Sequence, residues 1–598
     1  MIIRTIKYTG GGFFGGATIV WDKSDTGLGF GDSSAHQVVS DGGSNAIIIG
    51  ESDNADNDAD IYMAKYDALT RDRLEFDTFA GTFGSDDTGV GAVVDGNGGV
   101  AVTGIAIGNV NNIGYQKFAT IKYNRFIAYS GDALPDDTGV PVNALYAAGN
   151  SPAISDTSVA AKITAASGKI KLAAILTQGI DGGTSIPAVQ KGTAPGIVNA
   201  KFASISDPII SPDGHYAFAA KVSGVPASKA SGVWTNLGGT LHLALQKGTP
   251  VPGMTENLST VISLSMDNSA LVALVKVAAP ATSNLALVSI NSANSGTVLW
   301  RTGQSITVAG TPSTIKTLTV LSPAKASPGD GRWHHGNTTV KATLADKRTV
   351  ILHPNSGMLP LVSGGVNFNA KTFGLPALSL SGTRFTTLLT QNVGGNVTTA
   401  NDTTIIPYNA NNTGFDQIAT EGGNPITASL SSLTFASFSD PHVDSLNNVL
   451  FLATLKGNGV KPTNNKALLF GTSHTKIART GDPATDSAGA TGTAVWSSFI
   501  SHALAGGQGR PVFVAKLAGS GVTAKNNMGI WATDSSGDVR RVLRTGDALG
   551  TNIVKSFILL KPVPTAFSAQ RSFNNSGTVG ALVTFTNKKQ ALFKIGLP

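Results

Sequence analysis

Apolar and polar residues alternate with a period of two in short runs along the chain. In the run FAAKVS, the apolar residues Phe218, Ala220 and Val222 alternate with smaller or polar ones. This alternation predicts a β-strand with one buried face, because successive side chains of a strand point to opposite sides. No apolar stripe with the 3.6-residue period of a helix extends over a helical length. The pattern therefore predicts an all-β protein built from many short strands.

Two short motifs repeat near the beginning of the chain. The strings TIKY, MAKY and TIKY end at Tyr8, Tyr66 and Tyr123, which are 58 and 57 residues apart. Between them, DGGSNAIIIG (41–50) matches DGNGGVAVTG (95–104). Each copy contains a strand, an Asp-Gly turn and an alternating strand, which is typical of a β-hairpin.

A second motif marks units of the same size through the rest of the chain. This unit motif is an apolar pair, a polar pair and a glycine, as in IARTG and VLRTG. Its copies are spaced 55 to 65 residues apart. They end at Gly131, Gly192, Gly248, Gly303, Gly364, Gly422, Gly481 and Gly546.

The interior of the unit repeats as well. Residues 201–224 align without a gap on residues 434–457, with nine of 24 positions identical at an offset of 233, which is four units. Each unit contains about four short strands, and four-stranded units repeated around a ring form a β-propeller. We predict four-stranded blades with repeats of about 58 residues, and roughly 7–10 blades in one or two rings. A row of β-sandwiches is the alternative architecture.

The ends of the repeat array suggest how a ring closes. The chain begins on a strand that ends a unit, MIIRTIKY, and the last unit ends ALFKIGLP, which can receive such a strand. Truncation of a longer propeller chain explains the same observation. We divide the chain into residues 1–125 and residues 126–598, the latter with about eight degenerate repeats that continue from the first segment.

Both segments resemble repeats of bacterial proteins. The strings FGSDDTGVGAVVDGNGGVAVTG and FATIKYN resemble the bacterial seven-bladed β-propeller repeat, the SBBP repeat, over residues 1–125. The strings PDGHYAFAA, GQGRPVFVA and IARTGDP are similar to tandem repeats of secreted bacterial proteins with assorted C-terminal anchors. The resemblance implies a propeller outside the cytoplasm. Neither family of repeats has an agreed activity.

Composition agrees with this interpretation and excludes several classes of protein. The chain has 71 glycines among 598 residues, 14% charged residues and no cysteine, so disulfides and thiolate metal sites are excluded. The net charge of +7 is dilute, and its lysines and arginines are not interleaved with aromatic residues, so we predict no nucleic-acid binding. The sequence contains no run of 18 apolar residues, so no membrane span is predicted. We expect an extracellular or cell-surface protein whose signal peptide is not present in this chain, either because of processing or because the gene is longer.

The sequence contains no enzymatic motif, so no catalytic residues are predicted. We therefore expect a non-enzymatic extracellular binding or scaffold module with a glycan or protein partner. One alternative is a carbohydrate-active enzyme with a pair of carboxylates in the funnel of the propeller. Another is a subunit of an extracellular filament that assembles through an incomplete terminal blade.

The acidic loop ESDNADNDAD (51–60) is a candidate metal site. Its carboxylates are hard oxygen ligands of the kind that Ca²⁺ prefers, which makes calcium the predicted cofactor. The related loop of the next unit, IAIGNVNNIG, lacks these acids, so a solvated surface loop is the other interpretation. The predicted ligands are Asp53, Asp56, Asp58 and Asp60.

The insertion SPGDGRWHHGNTT (327–339) is a candidate ligand-binding loop. Trp234 and Trp531 occupy equivalent strand positions and are predicted to lie in the core, whereas Trp333 matches no position of the repeat. An aromatic ring with polar neighbours suits a sugar ligand. A loop whose tryptophan covers the edge of a blade is the alternative. The predicted binding residues are Asp330, Arg332, Trp333, His334 and His335.

Overall fold

A computed structural model of the chain describes most of the sequence. The described residues are 3–9, 18–25, 33–40, 46–53, 59–66, 73–79, 88–94, 100–110, 113–123, 126–137, 139–179, 184–266, 270–308, 310–320, 340–352, 361–363, 369–374, 377–378, 384–409, 417–439, 441–444, 446, 448–487, 489–505, 509–534, 536–549, 552–559, 574 and 577–596. In this part of the chain the regular structure is β-strands and two short 3-10 helices, Ala227–Lys229 and Ala428–Leu430. No helix there is long and apolar enough to cross a membrane. The all-β prediction is confirmed.

The first 123 residues contribute three antiparallel sheets, which we call the annex. They are a hairpin of two strands, a sheet of four and a sheet of three. The strands are β1 (Ile3–Thr9), β2 (Thr18–Asp25), β3 (Ser33–Ser40), β4 (Ala46–Asp53), β5 (Ala59–Tyr66), β6 (Arg73–Phe79), β7 (Thr88–Val94), β8 (Val100–Val110) and β9 (Ile113–Tyr123). A small apolar cluster of Ile47, Ile49, Ile61 and Met63 packs against Ala92 of β7.

From residue 126 onwards the described strands form eight antiparallel sheets, which we call blades 1 to 8 in chain order. The strands of the first four blades, preceded by β10 (Phe126–Tyr129), are β11 (Leu145–Gly149), β12 (Ala153–Ile154), β13 (Ser158–Ser167), β14 (Ile170–Gly179) and β15 (Thr184–Val189) in blade 1; β16 (Lys201–Ile205), β17 (Ile209–Ile210), β18 (Tyr216–Ser223), β19 (Ser231–Thr235) and β20 (His242–Gln246) in blade 2; β21 (Leu258–Met266), β22 (Ala270–Val277), β23 (Leu285–Asn291) and β24 (Gly296–Arg301) in blade 3; and β25 (Ser305–Val308), β26 (Thr311–Val320), β27 (Val340–Leu344), β28 (Thr349–Leu352) and β29 (Leu361–Val362) in blade 4.

The last four blades have the same organisation. Their strands are β30 (Ala370–Phe373), β31 (Ala377–Leu378), β32 (Arg384–Gln391), β33 (Thr403–Asn409) and β34 (Ala419–Thr420) in blade 5; β35 (Thr434–Phe438), β36 (His442–Val443), β37 (Val449–Lys456), β38 (Lys466–Phe470) and β39 (Thr475–Arg479) in blade 6; β40 (Pro483–Thr485), β41 (Thr491–Ala505), β42 (Arg510–Gly519), β43 (Met528–Thr533) and β44 (Val539–Arg544) in blade 7; and β45 (Ala548–Leu549), β46 (Asn552–Ile558), β47 (Thr578–Phe585) and β48 (Gln590–Gly596) in blade 8.

Each blade is a meander of four main strands, which we call A to D in chain order. Strand A is interrupted in blades 1, 2, 5 and 6, where its second piece pairs with the same strand B. The A strands of adjacent blades approach each other, as β17 of blade 2 approaches β21 of blade 3. The second halves of the A strands therefore lie innermost and surround a central channel, whereas the first halves contact the outer strands of the preceding blade, as β16 contacts β14 and β15.

Buried apolar side chains hold neighbouring blades together. Continuous clusters join blades 1 to 2, 2 to 3, 3 to 4, 5 to 6, 6 to 7, 7 to 8 and 8 to 1. Between blades 4 and 5, Lys341 Nζ donates a hydrogen bond to the Phe373 carbonyl at 3.0 Å. The sheets thus form one closed ring, so this part of the chain is an eight-bladed β-propeller.

The repeat places equivalent side chains in equivalent environments, as predicted. Phe218, Phe451 and Phe513 are all buried between blades. Phe218 stacks on Trp234 with ring planes 16° apart, and Phe513 stacks on Trp531 at 14°. Both tryptophans are fully buried, so their predicted place in the core is confirmed.

The unit motif forms the connection from strand D to strand A of the next blade. In three copies an arginine reaches back to the loop between strands B and C, as where Arg479 Nε donates to the Asn464 carbonyl at 2.8 Å. In six copies the glycine then turns with a positive φ and donates its N–H to the next blade, as from Gly481 to the Trp496 carbonyl at 2.8 Å; in the copy that ends at Gly192, Lys191 does so instead. The motif therefore recurs because every blade needs the same turn.

A strand from the start of the ring completes its last blade. β10 pairs antiparallel with β48, with Phe126 opposite Phe593 and Tyr129 opposite Ala591. The expectation that MIIRTIKY would fill this place is wrong, because β1 pairs with β2 instead. β10 directly precedes the first copy of the unit motif glycine, Gly131, which donates its N–H to the Tyr146 carbonyl of blade 1 as five of the later copies do to their own next blades.

Truncation tests the closing strand directly. A chain that begins at residue 126 retains β10, so we expect it to unfold cooperatively as a monomer. A chain that begins at residue 131 leaves an open edge on β48, so we expect a lower melting temperature and self-association. Thermal melts and gel filtration of the two chains measure the difference. Equal behaviour would show that β10 does not hold the ring closed.

The turn glycine of the unit motif gives a second test. Gly481 has a φ of +85°, and an added Cβ would lie 3.0 Å from the Asn464 Cβ. We expect Gly481→Ala to lower the free energy of unfolding by about 1–2 kcal/mol, the cost of a left-handed backbone for an L-residue. Gly492→Ala is the control, because its Cβ would meet no atom within 4 Å. Urea denaturation of both variants measures the two costs, and equal losses would contradict this explanation.

Candidate functional site

A β-bulge occurs at the same position of strand A in all eight blades. In blade 2, for example, Phe202 pairs with Val222 and Ser204 with Lys221, which leaves Ala203 without an opposite residue. A bulge of this kind adds one residue to a strand and increases its local twist. The bulged residues are Ala147, Ala203, Ser259, Lys316, Lys371, Ala436, Ser497 and Lys555.

The residue after the bulge carries a hydroxyl group in seven of the eight blades. Blade 1 has Ala148 at this position. Five of the seven are exposed and two are half-buried. They lie near the end of the ring at which the D strands connect to the A strands, where the first half of strand A contacts the outer strands of the preceding blade, as β16 contacts β14 and β15. We call them the hydroxyl ring: Ser204, Thr260, Thr317, Thr372, Ser437, Ser498 and Ser556.

The residues opposite these positions, on strand B, are lysine or threonine in every blade. In blade 6 the polar groups form a chain, in which Ser437 Oγ donates to Thr454 Oγ1 at 2.8 Å and Lys466 Nζ donates to the same oxygen at 2.6 Å. Side chains of this kind donate and accept hydrogen bonds in several directions. This face of the ring therefore presents polar groups that suit a ligand rich in hydroxyl groups. The opposite residues are Thr164, Lys221, Lys276, Thr343, Thr390, Thr454, Lys516 and Thr584.

Among the described residues of the bends that interrupt strand A, Asp207 is the one carboxylate. It lies half-buried at the bend between β16 and β17 and accepts a hydrogen bond from Asn150 Nδ2. Ser151 holds the equivalent place in blade 1, and Asp440, its counterpart in blade 6, lies outside the described residues. The described bends therefore do not form a ring of aspartates.

The predicted loop with Trp333 lies outside the described residues, as do Asp330, Arg332, His334 and His335. The loop connects β26 to β27 of blade 4. Ligand binding by these five residues therefore stays a prediction.

The predicted calcium site lies in the annex, at the hairpin between β4 and β5. Asp53 pairs with Ala59 and Asp60 with Ser52, so the ends of the two strands are adjacent. Asp56 and Asp58 lie outside the described residues. Within the described residues no three histidine or acidic side chains form a metal-binding group. Calcium binding stays a prediction.

A cleft of about 450 Å³ opens between blades 6 and 7, at the end of the ring that carries the turns from A to B. Asn448, Arg510 and Asp534 are polar residues in its wall. Asp444 closes the blade 6 turn by accepting hydrogen bonds from the N–H groups of Leu446 at 2.9 Å and Asn448 at 2.7 Å. Gly509 leaves room for that carboxylate, because a Cβ there would overlap Asp444 Oδ2. The cleft is thus shaped by a turn that repeats with different residues in other blades.

Two histidines meet at the interface of the same two blades. The rings of His442 and His502 are both buried, with centroids 5.4 Å apart and planes at 72°. Alanine or isoleucine occupies the position of His442 in blades 1, 2 and 5. Burial lowers the pKa of His502 to about 4.

Sequence reasoning missed the hydroxyl ring, although a signal for it exists. A large apolar residue, one variable residue and a serine or threonine occur early in most units, as FAS at 202–204 and 435–437, LST at 258–260 and WSS at 496–498. Three-residue strings of this kind are frequent in a chain rich in serine and threonine. Only the strand register shows that they lie at one level.

The class of protein defined by the ring, its blades and its closing strand is the β-propeller. Residues 92–309 and 360–593 match a family described as "Family of unknown function (DUF7453)". The match covers more than half of the chain, so the chain belongs to this family. The unmatched residues between the two segments contain most of blade 4 and the Trp333 loop. No curated protein matches the chain.

Solved β-propeller structures are similar to this chain at low identity. The β-propeller domain of the Trilobed protease from Pyrococcus furiosus is 12% identical, with a TM-score of 0.32, over 67% of this chain and 100% of that one. The Dos1 propeller is 10% identical, with a TM-score of 0.31, over 79% and 97%. An acylaminoacyl peptidase is 11% identical, with a TM-score of 0.32, over 73% of this chain and 58% of its own. The assignment of the fold rests on the sheet order and ring closure described above.

The buried histidine predicts how stability depends on pH. Because the pKa of His502 is about 4 in the folded chain and about 6.5 when exposed, the unfolded chain binds the extra proton first as the pH falls. We expect the free energy of unfolding to decrease by about 3 kcal/mol between pH 6.5 and 4. His502→Gln should remove this part of the decrease, whereas His242→Gln, at a more exposed strand end, should not. Urea denaturation at several pH values measures it, and an unchanged pH dependence in His502→Gln would contradict the assignment.

Proposed function

We propose that this chain is a non-enzymatic binding module that acts outside the cell, at a surface or in a matrix, and recognises a glycan on the face of the ring at which the D strands connect to the A strands. The observation that carries the proposal is the hydroxyl ring, which places a serine or threonine at one level in seven of eight blades. Packing does not require a hydroxyl at an exposed position, and a ring of donors and acceptors matches the hydroxyl groups of a sugar.

The proposed location rests on sequence features. The chain has no cysteine, and its repeats resemble the SBBP repeat and other repeats of secreted bacterial proteins. A calcium ion at the acidic hairpin and a second glycan contact at the Trp333 loop are compatible additions to this proposal.

The alternative of a carbohydrate-active enzyme needs two carboxylates that face one substrate. Asp207 is the candidate for one of them among the described residues of the bends that interrupt strand A. A filament subunit would need an open blade. In blade 8 that place is taken by β10, while the three-stranded sheet β7 to β9 in the annex has fewer strands than a blade.

A binding measurement tests the proposal. We expect the purified chain to bind oligosaccharides in a glycan array and to release no reducing ends from them. The variant Thr260→Val/Ser437→Ala/Ser498→Ala, which removes three hydroxyl groups from the ring, should lose about tenfold in affinity, since each lost hydrogen bond costs about 0.5–1.5 kcal/mol.

The control is Thr463→Val/Ser473→Ala/Ser520→Ala, which removes three exposed hydroxyl groups from turns outside the channel. It should bind like the unmodified chain, and both variants should melt at similar temperatures. Release of reducing ends that Asp207→Asn abolishes would support the enzyme instead. Equal binding by both variants would show that the hydroxyl ring is not the glycan site.

A further inference from the structure

We infer that blade 6 is an acid-sensitive section of the ring, which mild acid releases from both neighbouring blades while the rest of the ring stays packed. The inference goes beyond the proposed function, because it concerns how the ring opens rather than what it binds. It rests on where the buried histidines lie. Of the six histidines that the structure describes, three are buried, and all three lie at the two interfaces of blade 6: His442, His474 and His502.

His474 holds blade 6 to blade 5 from the turn between β38 and β39. Its Nε2 donates to the carbonyl of Ile418, directly before β34 of blade 5, at 2.7 Å. Its Nδ1 accepts from the N–H of Ile426, in the connection between the two blades, at 3.0 Å. A backbone carbonyl only accepts and a backbone N–H only donates, so the two bonds require the neutral ring with its proton on Nε2. A second proton would set an N–H at Nδ1 against the N–H of Ile426 and break that bond.

The described surroundings of His474 supply no negative charge to a protonated ring. Phe435 and Phe451 pack edge-on against it, with ring centroids 5.4 and 5.8 Å away. Glu421 is the acidic residue of the connection from blade 5, and the positive charge that acts on its pKa is Lys456. Burial lowers the pKa of His474 below its usual value. The fold therefore favours the neutral form of this histidine.

His442 of β36 and His502 of β41 form the corresponding contact between blades 6 and 7, with ring centroids 5.4 Å apart. The nearest acidic residues along the chain are Asp440, outside the described residues, and Asp444, whose carboxylate accepts hydrogen bonds within its own turn. The strands in closest contact with β36 and β41, which are β31, β32, β37, β40 and β42, contain no acid. These strands therefore offer a protonated ring no carboxylate. Their charged residues are all cations: Arg384, Lys456, Arg510 and Lys516.

The interface between blades 2 and 3 is a contrast within the same ring. The histidines of these two blades are His215 and His242, and both are partly exposed. His215 also has a carboxylate beside it, since its Nε2 lies 3.6 Å from Asp213 Oδ2. Acid therefore meets no buried histidine at that interface.

A buried neutral histidine makes the opening of an interface depend on pH. The pKa of His502 is about 4 in the folded chain, whereas an exposed histidine has a pKa of about 6.5. The open state therefore binds the proton first as the pH falls below about 6.5, and the open fraction rises. Carboxylates take up protons mainly near about pH 4, so mild acid acts first on the histidines of blade 6.

Single cysteines report the opening of each interface, because the chain has no cysteine of its own. Ala453→Cys places a thiol in the cluster of blades 5 and 6, and Ala515→Cys places one in the cluster of blades 6 and 7. The control is Ala273→Cys in the cluster of blades 2 and 3. All three alanines are fully buried on strand B of their blades.

Labelling by a dipyridyl disulfide, divided by the rate in the urea-unfolded chain at the same pH, measures the open fraction. From about pH 7.5 to about pH 5.5 we expect it to rise about tenfold, for each histidine that opening exposes, at the two blade 6 reporters. The rise at Ala273→Cys should stay below about twofold.

Glutamine variants assign the rise to the histidines. His474→Gln and His502→Gln cannot take up the proton, so each should reduce the rise at Ala453→Cys by about tenfold. The matched control His215→Gln, in blade 2, should leave the rise unchanged.

The outcomes separate the explanations. An equal rise at Ala453→Cys and Ala273→Cys would show that acid loosens the whole ring, and would overturn the inference. A rise that persists in both glutamine variants would overturn the role of the histidines. If these variants do not fold, the pH at which the rise begins decides, since onset near about pH 6.5 supports the histidines and onset only below about pH 5 assigns the rise to carboxylates.

Discussion

The pairing of β10 with β48 is the interaction on which the rest of the ring depends. It supplies the fourth strand of blade 8 and places Ile127 and Ala128 in the apolar cluster shared with blade 1. Around it, Ser130 N donates to the Gln590 carbonyl at 2.9 Å, and Gln590 N donates to Ser130 Oγ at 2.8 Å. Without this pairing, which we call the seam, the eight sheets would form an open arc, and the innermost strands would not enclose a channel.

Much of the fold follows from the sequence because every blade repeats the same strands and the same turn from strand D to strand A. The unit motif recurs since each blade needs a tight turn from strand D to strand A, which in most blades is made by a left-handed glycine and in three is joined to the neighbouring loop by an arginine. The closing strand was harder to predict. β10 has only four residues, and its copy of the motif, ending at Gly131, is degenerate. A strand that short is stabilised by its partner, so its own sequence carries little information.

The candidate site shows a different limit of sequence reasoning. The Trp333 loop was singled out because it departs from the repeat, but a departure from the repeat does not indicate a ligand. The hydroxyl ring follows the repeat, and it becomes visible only when the bulges align the strands. Thr260 and Thr317 occupy equivalent positions, but only their pairing with Lys276 and Thr343 on strand B shows this.

The seam also has a consequence for the order of synthesis. β10 is made before any blade, yet its partner emerges from the ribosome about 460 residues later. At a translation rate of about 5–20 residues per second, the strand waits roughly 20–90 seconds on the nascent chain before its backbone N–H and C=O groups can pair with β48. On a polysome, a neighbouring chain at a later stage of translation offers the same edge of β48. The ring is therefore exposed to domain-swapped assembly during translation, and chaperone binding to the first blades would act against it.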